Sequence, residues 1–263
     1  MHQDLHVHTY RCKHAHGDVD KYCEVAQWRG LQLLGFADHT PLPDDKESSY
    51  RMYLEELPSY VRRVRAMSKK FDMIRVFCGM ECDHFKGVVN FYKETLLEKY
   101  GLDYLIGSVH NFPNSDGWSS VWGFKPTTQN LRRYVDHVVD GMETGLYAFI
   151  GHPDMFINAF GKWGPNVESA CCDMFQASQE LNVPLELNMA GYAKYKRGGL
   201  ARNQVYPCVP FWRTAADYGV QVVINSDAHS PSDVGMYTEL GRRFARRLSL
   251  VSADLDFLTT LEE

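Results

Sequence analysis

Short apolar runs recur along this chain, separated by stretches with helical periodicity. The runs are Leu5–His8, Leu31–Ala37, Ile74–Met80, Tyr104–Val109, Ala148–Gly151, Pro184–Asn188 and Val220–Asn225. A brief, continuously apolar run bounded by turn residues reads as a strand buried on both faces. The stretches Val19–Arg29, Leu54–Phe71, Val88–Tyr100, Thr127–Glu143, Val167–Leu181, Pro210–Gly219 and Ser232–Arg247 carry the helical pattern, the first with Asp18 as N-cap and Gly30 as its stop. Seven strands alternating with helices predict parallel pairing through crossover helices. The expected fold is therefore α/β, a distorted or partly open seven-stranded (βα)7 TIM-like barrel. Two polar stretches interrupt the alternation: Thr40–Ser49 reads as a lid or entrance loop, and Asn111–Lys125, with Trp118 and Trp122, as irregular. No repeat or linker divides the chain, so a single domain over residues 1–263 is expected.

Composition narrows the function. With 263 residues and 44% apolar content the chain can bury a large core. A net charge of -5 argues against a broad nucleic-acid or anionic-membrane surface. No apolar run approaches the ~20 residues a membrane span needs. The opening Met1-His2-Gln3-Asp4 leads straight into a strand and reads as no signal peptide. Seven cysteines, an odd number without zinc-finger spacing, read as reduced thiols in a cytoplasmic protein.

The chemistry lies at the ends of the apolar runs. His6, His8, His14, His39, His110, His152 and His229 fall at those ends or in the turns that follow, and Glu81 and Asp227 hold equivalent places. In a βα barrel such ends converge on one rim. A single ring of imidazole and carboxylate is the design of a multinuclear metal hydrolase. One such histidine alone is as well explained as a structural side chain; the set in register is not. His84 and His137 read as structural, and His16 competes with His14 for a ligand role. The run Arg242, Arg243, Arg246 and Arg247 has helical spacing and reads as a solvated face.

His-x-His at 6 and 8, His14, Asp-His-Thr at 38–40, Gly-Met-Glu at 79–81, Ser-Val-His at 108–110, Gly-His-Pro-Asp at 151–154 and Ser-Asp-Ala-His at 226–229 together resemble the PHP (polymerase and histidinol phosphatase) superfamily. Within it the chain is similar to the monofunctional histidinol-phosphate phosphatases. The resemblance implies two or three divalent ions (zinc, iron or manganese) and the hydrolysis of L-histidinol phosphate by a hydroxide held between two of them. It places one ion on His6, His8, Glu81 and Asp227. A second shares Glu81 and adds His110 and His152. A third takes His14, His39 and His229. The catalytic roles fall on Glu81, Asp227 and His229, with Asp38 and Asp154 either orienting ligand imidazoles or serving as ordinary loop-start or helix-cap aspartates.

A phosphate needs fixed cations, and arginine gives two-point contact. Here the chain departs from its relatives, with Met189 and Ala190 after Asn188 where they carry an arginine. Arg197, with Lys162 or Arg202, is the expected phosphate contact, against the alternative of a solvated basic loop. The expected partner is a small phosphate ester, with no nucleic acid, no membrane and an open oligomeric state. A PHP phosphoesterase for another small ester or a nucleotide, and a metal-binding protein without turnover, remain as other readings.

Overall fold

The computed structural model describes residues 2–115 and 117–255. Met1 of the expected leaderless start, and Asp116 of the expected irregular stretch, lie outside the described residues. The described residues form two compact units, one of residues 2–106, 225–238 and 254–255, the other of residues 107–115, 117–224 and 239–253.

The first unit alternates β1 (Gln3–Val7), α1 (Val19–Trp28), β2 (Leu33–Phe36), α2 (Leu57–Lys70), β3 (Arg75–Asp83), α3 (Val89–Phe91) and β4 (Tyr104–Ser108), whose last residues enter the second unit. β1 pairs β2 and β2 pairs β3, both parallel, in the registers Gln3↔Leu33 and Leu33↔Arg75. All four residues of β2 are buried, as a continuously apolar strand requires. α1 starts where the Asp18 carboxylate accepts the Val19 N–H, and it buries Val19, Tyr22, Cys23 and Ala26, one face at helical spacing. The helix expected over Val88–Tyr100 departs from pure α geometry: α3 runs directly into a π-helical stretch, Tyr92–Lys99. Tyr104 crosses beneath the strands and donates its hydroxyl to the Leu5 carbonyl (2.6 Å). Its ring fills the space above Gly79, where a Cβ would stand 2.5 Å from the phenol carbon. That packing is why β3 carries a glycine amid large apolar residues.

The second unit holds β5 (Asn111–Asn114), β6 (Gly117–Ser120), α4 (Thr128–Glu143), β7 (Phe149–Ile150), α5 (Ile157–Phe160), α6 (Pro165–Glu180), β8 (Leu185–Asn188), α7 (Ala190–Lys196), α8 (Val209–Asp217), β9 (Gln221–Asn225), α9 (Thr238–Arg247) and β10 (Val251–Ser252). Asn225, which ends β9, and Thr238, which begins α9, belong to the first unit. β7 pairs β8 and β9 pairs β10, again parallel. The stretch expected to be irregular contains an antiparallel hairpin, β5 with β6. The basic segment after β8 begins as a helix, α7, rather than as a loop, and β10 adds a short strand beyond the seven expected. The helix expected from Ser232 begins only at Thr238, after a 3-10 turn at Pro231–Asp233. Tyr134, Phe156, Phe175, Phe211 and Trp212 are buried here, with ring edges meeting faces, as Phe175 meets Phe211 at 4.8 Å and 70°.

Candidate metal centre

The first unit gathers seven of the nine expected ligands. His6 lies in β1 and His8 follows it; Glu81 lies in β3. The ladder continues past the named strands through the bridges Val7↔Ala228 and His39↔Glu81, which carry the turns bearing Asp227, His229 and His39 alongside β1 and β3. Glu81 Oε2 stands 3.4 Å from the Nε2 atoms of both His6 and His8, and 2.9 Å from His39 Nδ1. Asp227 Oδ1 lies 3.2 Å from His8 Nε2 and 3.7 Å from His6 Nε2. Ligand atoms of His6, His8 and Glu81 fall within 4.8 Å of one another, as do those of His14, His39 and His229.

Two carbonyls decide the tautomers of the last group. His14 Nδ1 donates to the Cys12 carbonyl (2.7 Å) and His229 Nδ1 to the Asp227 carbonyl (3.0 Å). Each Nε2 is then a lone pair, and the two stand 3.0 Å apart. Lone pairs at that separation repel unless a cation lies between or beside them. The donor set therefore fits a metal, with the second nitrogen of each ring fixed by a backbone acceptor. Burial lowers the basicity of His8 and His14, which favours the neutral form that ligation requires. Burial alone would push the Asp227 carboxyl up, but His6, His8 and His229 outweigh it and hold Asp227 well below the usual carboxylate range.

Asp227 (φ 52°) and His152 (φ 32°) both sit in the left-handed region, which costs a non-glycine residue about 1–3 kcal/mol. Surrounding hydrogen bonds hold them there. Asp4, fully buried in β1, accepts the N–H groups of Ser226 (3.0 Å) and Gly235 (2.7 Å) and the Ser226 hydroxyl, bracing the turn that carries Asp227 and His229. Asn225 Oδ1 accepts the Leu5 N–H (2.8 Å) and ties the same turn to β1. In the second unit Glu186, buried in β8, accepts the His152 N–H (3.0 Å). The His110 and His152 rings approach each other there, with centroids 4.9 Å apart.

Asp38 and Asp154 orient backbone rather than imidazoles. Asp38 accepts the Thr9 N–H (2.8 Å) and hydroxyl (2.7 Å), locking the residue after His8, and burial pushes its carboxyl up to about 7. Asp154 accepts the Cys208 N–H (2.6 Å) and the Trp212 indole N–H (3.0 Å), anchoring the start of α8; burial pushes it up to about 6. Sequence reasoning passed over Asp4, Asn225 and Glu186. Glu186 had a signal: a carboxylate inside the apolar run Leu185-Glu186-Leu187 is buried and must be hydrogen-bonded.

His16 offers no atom to these groups, whereas His14 does; Cys12 Sγ approaches His8 and His229, and Cys82 Sγ meets the Thr40 hydroxyl at 2.9 Å. His84 and His137 are buried, His137 on α4, as structural residues are. Arg197 caps the C-terminus of α7 and is exposed. Lys162 and Arg202 line a cavity of 1150 Å³ to which neither His110 nor His152 contributes.

Known proteins share this sequence and fold. The PHP domain matches residues 4–190. A Deinococcus radiodurans protein described as a "probable histidinol-phosphatase" is 31% identical over 245 residues, covering 88% of each chain. A Schizosaccharomyces pombe protein of the same description is 22% identical, covering 94% of this chain and 87% of its own. The crystal structure of histidinol phosphate phosphatase from Lactococcus lactis, in complex with zinc, L-histidinol and phosphate, superimposes with a TM-score of 0.74 at 16% identity over 95% of each chain. At that identity the likeness establishes a shared α/β fold. Its relatives, the extent of the domain match and the ordered motif blocks agree: the chain is a member of the PHP domain family.

Proposed function

We propose that the protein is a metal-dependent phosphomonoesterase that hydrolyses L-histidinol phosphate to L-histidinol and phosphate. The observation that carries this reading is the cluster of imidazole and carboxylate donors, above all the two tautomer-fixed Nε2 lone pairs of His14 and His229 facing each other at 3.0 Å. The Lactococcus lactis relative, which binds zinc, L-histidinol and phosphate, supports the substrate and the use of a divalent ion.

His6, His8, Glu81 and Asp227 would hold one ion. His14, His39 and His229 would hold another. His110 and His152, in the second unit, are the remaining candidate donors. Zinc, iron and manganese all suit such donors. Divalent ions bound there supply charge to neutralise phosphoryl oxygens and to acidify water. The chain's own contribution is rigidity: Glu81 is buried against three imidazoles, and Asp4, Asp38 and Glu186 fix the backbone on which the donors ride. For the phosphate we put Arg197 ahead of Lys162 and Arg202, whose cavity includes neither histidine of its unit. The seven cysteines are free thiols, consistent with the reducing cytoplasm, and among the described residues no helix is long and apolar enough to cross a membrane.

The test is phosphate release from L-histidinol phosphate against a panel of sugar phosphates and nucleotides, with metal content measured on protein purified without chelator. Turnover of histidinol phosphate no faster than of the panel would remove the substrate assignment and leave the phosphatase class. Arg197→Ala is expected to lower kcat/KM by roughly 10²-fold through loss of charge-assisted bonds, with metal content unchanged. Near-wild-type kcat/KM would return the phosphate role to Lys162 or Arg202.

A further inference from the structure

The 1150 Å³ cavity of the second unit lies among the segments that follow β7 and β8 and the exposed face of α9. Lys162, Arg202, Arg213, Arg243 and Arg247 line it, and no aspartate or glutamate does. In a chain of net charge -5 this is a local inversion of sign. Arg243 shares Glu239 with Arg242 and Arg246. Among the described residues Lys162, Arg202, Arg213 and Arg247 have no ion-pair partner. Cations gathered without counterions repel one another and concentrate a positive potential that an anionic ligand relieves.

The rest of the wall is aromatic and apolar. Trp163, Tyr192 and Tyr195 contribute rings, and Met189 and Phe244 apolar surface. Trp163 is held in place: its indole N–H donates to Glu168 (3.2 Å) and the ring meets Phe211 edge-on at 6.1 Å. Tyr192 and Tyr195 lie 6.2 Å apart at 50°. Fixed aromatic faces accept a planar ring without further loss of side-chain freedom, and arginine forks match phosphate oxygens two at a time. Neither His110 nor His152 lines the cavity, so it is not the place where those histidines meet a substrate.

We propose that this cavity binds a nucleoside polyphosphate, with the base against Trp163 and the two tyrosines and the phosphates on the unpaired cations. A bare phosphate would leave the aromatic wall unused, and an uncharged aromatic would leave the cations uncompensated. The volume exceeds the few hundred Å³ that small ligands ordinarily fill, room enough for base, ribose and phosphates together. The inference uses none of the metal-ligand candidates and shares with the phosphatase reading only Lys162 and Arg202, placed there behind Arg197 as phosphate contacts.

The experiment is isothermal titration of the full-length, metal-loaded protein with adenosine 5′-(β,γ-imido)triphosphate, which resists hydrolysis. One molecule is expected to bind per chain. The exposed pair Arg213→Ala/Arg247→Ala should weaken binding about 100-fold, about tenfold for each charge-assisted contact, while phosphate release from histidinol phosphate keeps its kcat/KM. Trp163→Phe should weaken it more modestly. Tripolyphosphate should bind at least about tenfold more weakly than the nucleotide analogue, since it lacks the ring. Absence of binding at millimolar concentration overturns the proposal. So does binding that the double substitution leaves unchanged, since the nucleotide would then sit elsewhere, or that histidinol phosphate displaces, since the cavity would then be the substrate's own. Equal affinity for tripolyphosphate overturns it as well, by showing that only charge is read.

Discussion

Asp4→Asn separates positioning from stability. The Asp4 carboxylate receives three donors: the Ser226 N–H, the Ser226 hydroxyl and the Gly235 N–H. An amide keeps one acceptor oxygen. Turned to preserve Gly235, it points its own N–H2 at the Ser226 N–H, donor against donor. One charge-assisted bond is lost, about 1.5–3 kcal/mol, and the remaining bonds weaken to neutral ones worth about 1 kcal/mol each. Against this, burial pushes the Asp4 carboxyl from 3.8 up to about 6, a penalty for the ionised form at pH 7 of roughly 3 kcal/mol at 1.36 kcal/mol per unit, which the amide removes. The terms nearly cancel, so the melting temperature should move by less than about 5 °C. The geometry does not cancel. The turn bearing Asp227 and His229 loses its brace, and supports of this kind are worth about 10–100-fold in metal affinity or activity. The pH dependence carries a second signature. A raised folded value means that the folded state binds more protons than the unfolded chain between pH 3.8 and about 6, so the wild-type contribution is lost as pH rises through that window. The asparagine variant lacks that slope. The assays are thermal unfolding across pH, competitive metal titration and phosphate release. Metal affinity and kcat/KM both within twofold of wild type would refute the positioning role; a fall in melting temperature beyond about 10 °C would refute the energy balance.

Three further substitutions bear on the site and its scaffold. Glu81→Gln should lower kcat/KM by at least about 100-fold and deplete bound metal, because an amide cannot neutralise the cation that Glu81 would hold with His6, His8 and Asp227; full activity at full metal content would contradict this. Gly79→Ala places a Cβ 2.5 Å from the Tyr104 ring and should cost about 1–3 kcal/mol in urea unfolding, relieved by Tyr104→Leu in the same chain; an unchanged midpoint would show that the ring moves freely. For Asp18, burial pushes the carboxyl up, but Arg11 (2.7 Å) and the Val19 N–H outweigh it and hold it below the usual range. That contribution is present above pH 3.8 and lost as pH falls through the lowered folded value. Asp18→Ala should therefore cost about 1 kcal/mol at pH 7, and the two proteins should converge in acid; a gap that persists in acid would rule the charge out as its source.

The chain's own letters determined the pattern, and through it the parallel strands and crossover helices, because short continuous apolar runs and 3.6-residue spacings are preserved in a linear text. They also marked the candidate metal donors, since an imidazole just past an apolar run is a local fact: His8 after β1 and His152 after β7 needed no coordinates to be found. Where local signals compete, the text misled. The basic segment after Asn188 reads as a loop because it holds glycines and charges, yet α7 forms there, with Asn188 Oδ1 accepting the Ala190 N–H (2.9 Å) and buried Ala190, Gly191 and Ala193 on one face. Asp38 and Asp154, within two residues of histidines in sequence, turned out to hold Thr9 and the start of α8, because proximity along the chain does not fix where a carboxylate points. Only the tertiary structure decided that Asp4 braces Ser226, a residue 222 positions away. Likewise it alone set the tautomers of His14 and His229 and gathered Lys162, Arg213 and Arg247 around one cavity. Such contacts join side chains distant in sequence, and burial sets their strength, a quantity that exists only once the chain has closed upon itself.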